Sequence, residues 1–187
     1  MKGIIFKHFE SFVVDNFGEA TFEDLLDATE LATEGPFVGP MTYPDEDLFA
    51  LVGTAIAKLG ISLNDALHAF GVYLFGKLAA QVPMFVDREA GLKSFLLTIH
   101  SVIHVEVRKL FPDAETPRFD YVDVSPSSLV IHYMSSRRLC PLFRGLIDGA
   151  AAHFEERVEY IETGCMHHGA ARCTFEIQFK GSVRQAA

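Results

Sequence analysis

At Arg118 the spacing of apolar residues changes from helical to alternating, and that change orders the architecture of the chain. Upstream, runs such as Ile4, Ile5, Phe9, Phe12, Val13 and Phe17 recur at helical spacing. The spacing predicts helices over Met1 to about Asn16, Thr21 to about Ala32, Pro44 to near Gly60, a Ser62–Asp65 cap through Leu78, and about Ala90 to Phe111. Gly35, Pro36, Gly39 and Pro40 predict an irregular loop over Glu34 to Tyr43, and Gln81 to Arg88 reads as a short helix or turn around Pro83. Downstream, Phe119, Tyr121, Val122 and Val124 pair with Ser128 to Ser135 across Ser125-Pro126-Ser127. A helix starting at Pro141 and a second hairpin, Val158 to Thr163 with Cys173 to Lys180, complete the pattern, and the residues after Gly181 are expected to fray. The reading is α+β: an N-terminal helical lobe, then a lobe with an antiparallel sheet and helices.

Two stretches carry candidate chemistry. His104 lies among Ile103, Val105 and Val107 in the last helix before the switch, where a neutral imidazole is tolerated and a charged one is costly. Such a residue is either a packed core histidine or an axial ligand for a haem iron. His100 lies one turn earlier, and His-x-x-x-His can chelate zinc on a helix. Ser101 stands where a zinc hydrolase needs its glutamate, so that chemistry is set aside and His100 is read as a helix-face residue. The second stretch is Tyr133, Ser135 and Arg137, which share one face if the strand continues through them. Two hydroxyls and a guanidinium in a row suit a pair of carboxylates.

Bulk properties narrow the classes. A net charge of −9 and one short basic cluster, Arg137-Arg138 with Arg144, argue against nucleic acid. No apolar run approaches the roughly 20 residues of a membrane span, and Lys7, His8 and Glu10 break up any leader, so a cytoplasmic domain is expected. With 17 Phe among 187 residues there is apolar material for a core and a lined cavity. Three cysteines in a reducing setting point to free thiols or metal ligation.

Met1-Lys2-Gly3, His104, Pro117 and Tyr133-x-Ser135-x-Arg137, in that order, resemble the haem nitric oxide/oxygen-binding (H-NOX) family, which includes the haem domain of soluble guanylate cyclase. The likeness covers essentially the whole chain. It implies a single sensor domain over 1–187, with a distal lobe at about 1–60 and a haem-binding lobe at about 61–187, and haem b between them. By the same resemblance His104 is the axial ligand, Tyr133, Ser135 and Arg137 hold the propionates, and Pro117 presses on the porphyrin. Ile5, Phe9, Leu74, Leu142 and Leu146 fall at haem-contacting positions. Members that hold dioxygen use a distal tyrosine at the place of Leu142, and neither Leu142, Phe9 nor Leu74 offers a donor.

The resemblance therefore implies selectivity for nitric oxide, with carbon monoxide tolerated. Nitric oxide weakens the iron–His104 bond, and the ensuing shift regulates a separate partner; in stand-alone bacterial members this is a histidine kinase or a cyclic-di-GMP enzyme. Some members hold zinc with three cysteines and a histidine. Cys140, Cys165 and Cys173 match the cysteines, but Glu162 stands at the histidine position, leaving Glu162, His167 or His168 as the fourth ligand, or redox-sensitive thiols without metal. Two other classes stay in view. A peroxidase-like haem enzyme needs distal acid–base groups that this wall does not supply. A haem-free module would fill the cavity with an apolar ligand.

Overall fold

The structure, a computed structural model, describes residues 1–182. Its first half is helical: α1 (Gly3–Phe17), α2 (Glu19–Ala28), α3 (Asp45–Leu59) and α4 (Leu63–Gln81). Ser62 caps α4 by accepting from the Asp65 amide at 3.1 Å. Three acids occupy the first turn of α3, where the helix dipole favours them, and Gly60 closes it in the left-handed conformation.

α2 ends at Ala28, four residues before the expected Ala32. The reason is a buried carboxylate: Asp47, 3% exposed, accepts from the amides of Ala32 and Thr33 at 2.8 and 3.1 Å, drawing the chain out of the helix.

The predicted helix over Ala90–Phe111 is three pieces: α5 (Leu92–Thr98), a π-helical turn (Ile99–Ile103) and α6 (His104–Leu110). The π turn delivers His104 at the first position of α6, and turns of this kind concentrate at functional sites. No glycine or proline marks the break in the sequence. The stretch around Pro83 forms a 3₁₀ turn, Pro83–Phe85.

Strands β1 (Arg118–Ser125), β2 (Ser128–Met134), β3 (Glu156–Gly164) and β4 (Cys173–Ser182) form one antiparallel sheet in the order β1-β2-β4-β3. The end expected to fray after Gly181 lies outside the described residues, apart from Ser182 in β4. Between the hairpins runs α7 (Cys140–Phe154). Two apolar clusters result. One gathers Phe6, Phe9, Val13, Leu25, Leu51 and Phe70 from the N-terminal helices. The other gathers Leu92, Phe119, Ile131, Phe143, Ile147 and Phe175 between the sheet, α5 and α7. α4 belongs to both, through Phe70 and Leu74 on one side and Phe75 and Ala79 on the other.

α4 and α7 approach backbone to backbone at glycines. A Cβ on Gly71 would lie 2.3 Å from the Leu142 carbonyl oxygen, and one on Gly145 would lie 2.0 Å from that of His68. No single helix among the described residues is long and apolar enough to cross a membrane.

Candidate functional site

His104 stands where the π turn meets α6, its ring 5.6 Å from that of Phe119 and 6.5 Å from that of His100. Burial pushes its pKa down to about 4, helped by the charges of His100 and Arg108 and opposed by the nearby Pro117 backbone. The imidazole is therefore neutral at physiological pH. Its Nδ1 is buried and lacks a hydrogen-bond partner among the described residues. A partly buried, neutral imidazole with its Nδ1 unpaired has the chemistry of a haem-iron ligand. His100 is more than a helix-face residue: its Nδ1 accepts a long bond, 3.5 Å, from the Phe119 amide and ties the π turn to β1.

The carboxylate-binding row differs from its strand reading. β2 stops at Met134, so Ser135 and Arg137 lie in a turn rather than on one strand face with Tyr133. The turn closes because Ser135 accepts twice, at its carbonyl from the Arg138 amide and at its hydroxyl from the Arg137 amide, both at 3.2 Å. Tyr133 is 3% exposed, its hydroxyl accepting from the Leu139 amide at 3.2 Å, and burial pushes its pKa up to about 12.

Arg137 donates from Nε to Asp45 at 2.6 Å and from Nη1 to the Glu115 carbonyl at 2.8 Å. Asp45 also takes the Met1 amine at 2.6 Å, and although burial works against it, Arg137 and that amine hold its carboxyl below the usual range. Beside this network opens a cleft of about 420 Å³ lined by Glu115, Thr116, Arg118, Ser135, Ser136 and Arg137. Its hydroxyls and guanidinium groups suit carboxylates such as those of a haem, with Glu115 working against them; neither His104 nor Tyr133 lines this cleft. Arg137→Ala should cost about 1–3 kcal/mol, because Asp45 loses a charge-assisted bond, and should speed haem transfer to an apo-globin acceptor; unchanged transfer would remove the anchor role.

Phe9 and Leu74 are 4% and 2% exposed in the N-terminal cluster, and Ile5, Leu142 and Leu146 pack on that same cluster. Leu146 also touches the second cluster. All five expected haem-contacting apolar residues thus meet along the α1–α4–α7 side, and none carries a donor.

The cysteines form a second group. Sγ of Cys140 lies 3.7 Å from that of Cys165, which lies 4.0 Å from that of Cys173. With one Glu162 carboxylate oxygen, all the ligand atoms lie within 4.8 Å of one another. Arg144 reaches Glu162 Oε2 at 3.6 Å, while Oε1 is buried without a partner among the described residues. An orphaned carboxylate oxygen among three sulfurs fits a tetrahedral metal. His167 and His168, the other candidates for the fourth ligand, are exposed and outside the group; His167 Nε2 donates to the Arg138 carbonyl at 2.7 Å instead.

Asp45 and Glu115 carry no signal of the site in the sequence, and Arg144 stands out there only as part of the basic cluster. Each is tied to the site by a partner distant along the chain, 92 residues away for Asp45 with Arg137, and no local pattern marks it.

Residues 2–162 match the family described as Haem-NO-binding. An H-NOX protein from Shewanella oneidensis in the Fe(II)NO ligation state aligns with a TM-score of 0.90 at 32% identity, covering 97% of this chain and 100% of that one. The H-NOX domain from the same organism in the Fe(II)CO state gives 0.87 at 33% identity, over 96% and 99%. The unliganded Fe(II) H-NOX protein from K. algicida gives 0.88 at 30% identity, over 98% of each chain. The chain belongs to the Haem-NO-binding, or H-NOX, family.

Proposed function

We propose that this domain is a haem-based nitric oxide sensor without catalytic turnover, a single unit whose lobes, about 1–60 and about 61–187, enclose the cofactor. The observation that carries the reading is the neutral imidazole of His104, whose buried Nδ1 lacks a hydrogen-bond partner among the described residues. Bound haem b would supply a ferrous iron that takes nitric oxide or carbon monoxide. The relatives in Fe(II)NO and Fe(II)CO states support this.

His104 would hold the haem iron through a ring nitrogen, Tyr133, Ser135 and Arg137 would hold the propionates, and Pro117 would pack against the porphyrin. Ile5, Phe9, Leu74, Leu142 and Leu146 keep the gas side dry. With no donor on these five side chains, they do not offset the partial negative charge that dioxygen acquires as a ligand, whereas nitric oxide does not need such help. On a bound haem, nitric oxide would weaken the hold of His104 on the iron. Release of His104 would then let the helical lobe shift relative to the other, a two-state element biased by differential ligand affinity. A separate cytoplasmic partner, a histidine kinase or a cyclic-di-GMP enzyme, receives that shift.

The visible spectrum of the reduced protein, exposed in turn to nitric oxide, carbon monoxide and air, tests the reading. Complexes with the first two and no stable oxygen complex are expected; a stable oxygen complex in the unmodified protein contradicts it. Leu142→Tyr places a phenol on the gas side and is expected to prolong the oxygen complex, read as a slower oxygen off-rate.

We further infer that Cys140, Cys165, Cys173 and Glu162 hold a structural zinc ion. A Glu162 carboxylate oxygen within 4.8 Å of the three sulfurs, and an Oε1 buried without a partner among the described residues, support it.

A further inference from the structure

None of the residues from Ile99 to Leu110 is fully buried, so core packing alone does not hold the segment that carries His104. Its two ends must be fixed in other ways. At one end α5 buries Leu92, Phe95 and Leu96 in the second cluster. At the other end the chain turns at Phe111, whose carbonyl accepts from the Ala114 amide at 2.9 Å, and the Lys2 ammonium meets that turn.

Lys2, with a side chain only 12% exposed, donates from Nζ to Asp113 Oδ1 at 3.0 Å and to Thr42 Oγ1 at 2.8 Å. The same Nζ sits 5.0 Å over the Phe111 ring. Thr42 also hydrogen-bonds Asp113, and Thr42 and Lys2 together hold that carboxyl below its usual range. Lys2 itself is firmly set. The Gly3 amide donates to the Met41 carbonyl at 2.8 Å, and a Cβ on Gly3 would lie 2.1 Å from the Val38 carbonyl oxygen. α1 therefore starts locked against the 38–42 loop, and one and two turns further on it carries Ile5 and Phe9.

We propose that Lys2 is a positioning residue for the proximal ligand, pinning the turn after α6 to the start of α1 so that the place of His104 is referenced to the helix bearing the distal side chains. Without the cation the connection keeps Arg108 to Thr116, 2.7 Å, and two looser references to the N-terminus, Thr42 to Asp113 and the chain from the Glu115 carbonyl through Arg137 and Asp45 to the Met1 amine; what it loses is the link that reaches Phe111 and Asp113 directly from the residue before α1. The inference rests on the assignment of His104 as axial ligand.

The test uses the haem-loaded protein. The iron–histidine stretching band of the reduced, unliganded form and the nitric oxide dissociation rate are measured for Lys2→Met, Lys2→Arg, Asp113→Asn and the Met/Asn double variant. Lys2→Met should shift the band and change the rate by about 2- to 30-fold, the range over which residues remote from a ligand modulate coupling. Lys2→Arg should restore both, Asp113→Asn should reproduce the shift, and the double variant should add nothing to either single change. Asp113 is more than half exposed, so its variant probes the link without disturbing the core. Parental values in Lys2→Met and Asp113→Asn, or failure of Lys2→Arg to restore them, would overturn the proposal while leaving the His104 assignment intact. Absence of an iron–histidine band in the parent itself would overturn that assignment and this inference with it.

Discussion

Gly145→Ala is expected to destabilise the domain by about 3 kcal/mol, at the upper end of what overpacking costs. The added Cβ would stand 2.0 Å from the His68 carbonyl oxygen and 2.9 Å from both the His68 carbonyl carbon and the Gly71 Cα. All three are backbone atoms, so no rotamer change relieves the clash and α7 must move away from α4. For a domain of this size that corresponds to a drop of roughly 6–12 °C in Tm. The same movement would separate Leu74 on α4 from Leu142 and Leu146 on α7, loosening the expected gas pocket. Gly76→Ala is the control: it lies mid-helix in α4 with nothing within 4 Å of a Cβ, and should be neutral or stabilising by up to about 1 kcal/mol. Thermal unfolding of the two variants separates close helix contact from helix propensity, and equal midpoints would contradict the account of the α4–α7 contact.

Zinc added to reduced, metal-free protein is expected to raise stability by about 3 kcal/mol once free zinc exceeds Kd a hundredfold. Tetrahedral zinc–thiolate geometry places sulfurs about 3.8 Å apart, and the observed separations of 3.7 and 4.0 Å bracket that value. Burial and the neighbouring thiols raise the pKa of Cys140, and burial above all pushes that of Cys173 up to about 11, so these two thiols are protonated in the metal-free state. Binding must therefore release protons, and affinity should climb with pH. Glu162→Ala should weaken binding, since it removes the carboxylate that lies within 4.8 Å of the sulfurs. Calorimetry in buffers of different ionisation enthalpy counts the protons. Zinc uptake without proton release, or without a rise in Tm, would contradict this assignment.

Most of the architecture was legible because the apolar period carries it: five predicted helical stretches, two hairpins and the helix starting near Pro141 all have counterparts. The misses have local physical causes. α2 stops early because Asp47, folded in from α3, outcompetes the helix for the Ala32 and Thr33 amides. The π turn before His104 has no side-chain signature, since the residues that form it are ordinary helix-face types. Tyr133, Ser135 and Arg137 read as one strand face only because alternation cannot show where a strand ends; the Ser135 turn ends it. At the cysteine group, residue type identified the three sulfurs, but the choice among Glu162, His167 and His168 required the hairpin register that sets Glu162 opposite Phe175. Lys2 was legible only as part of a motif, because its partners Thr42 and Asp113 are far along the chain.

The most direct measurement is the visible spectrum of His104→Gly, purified with and without free imidazole, then reduced and exposed to nitric oxide. Haem uptake that depends on added imidazole, and a response to the gas unlike the parent's, is the predicted result. Haem loading and a nitric oxide response equal to the parent's, with imidazole or without, would show that the iron does not hang on His104 and would contradict the account.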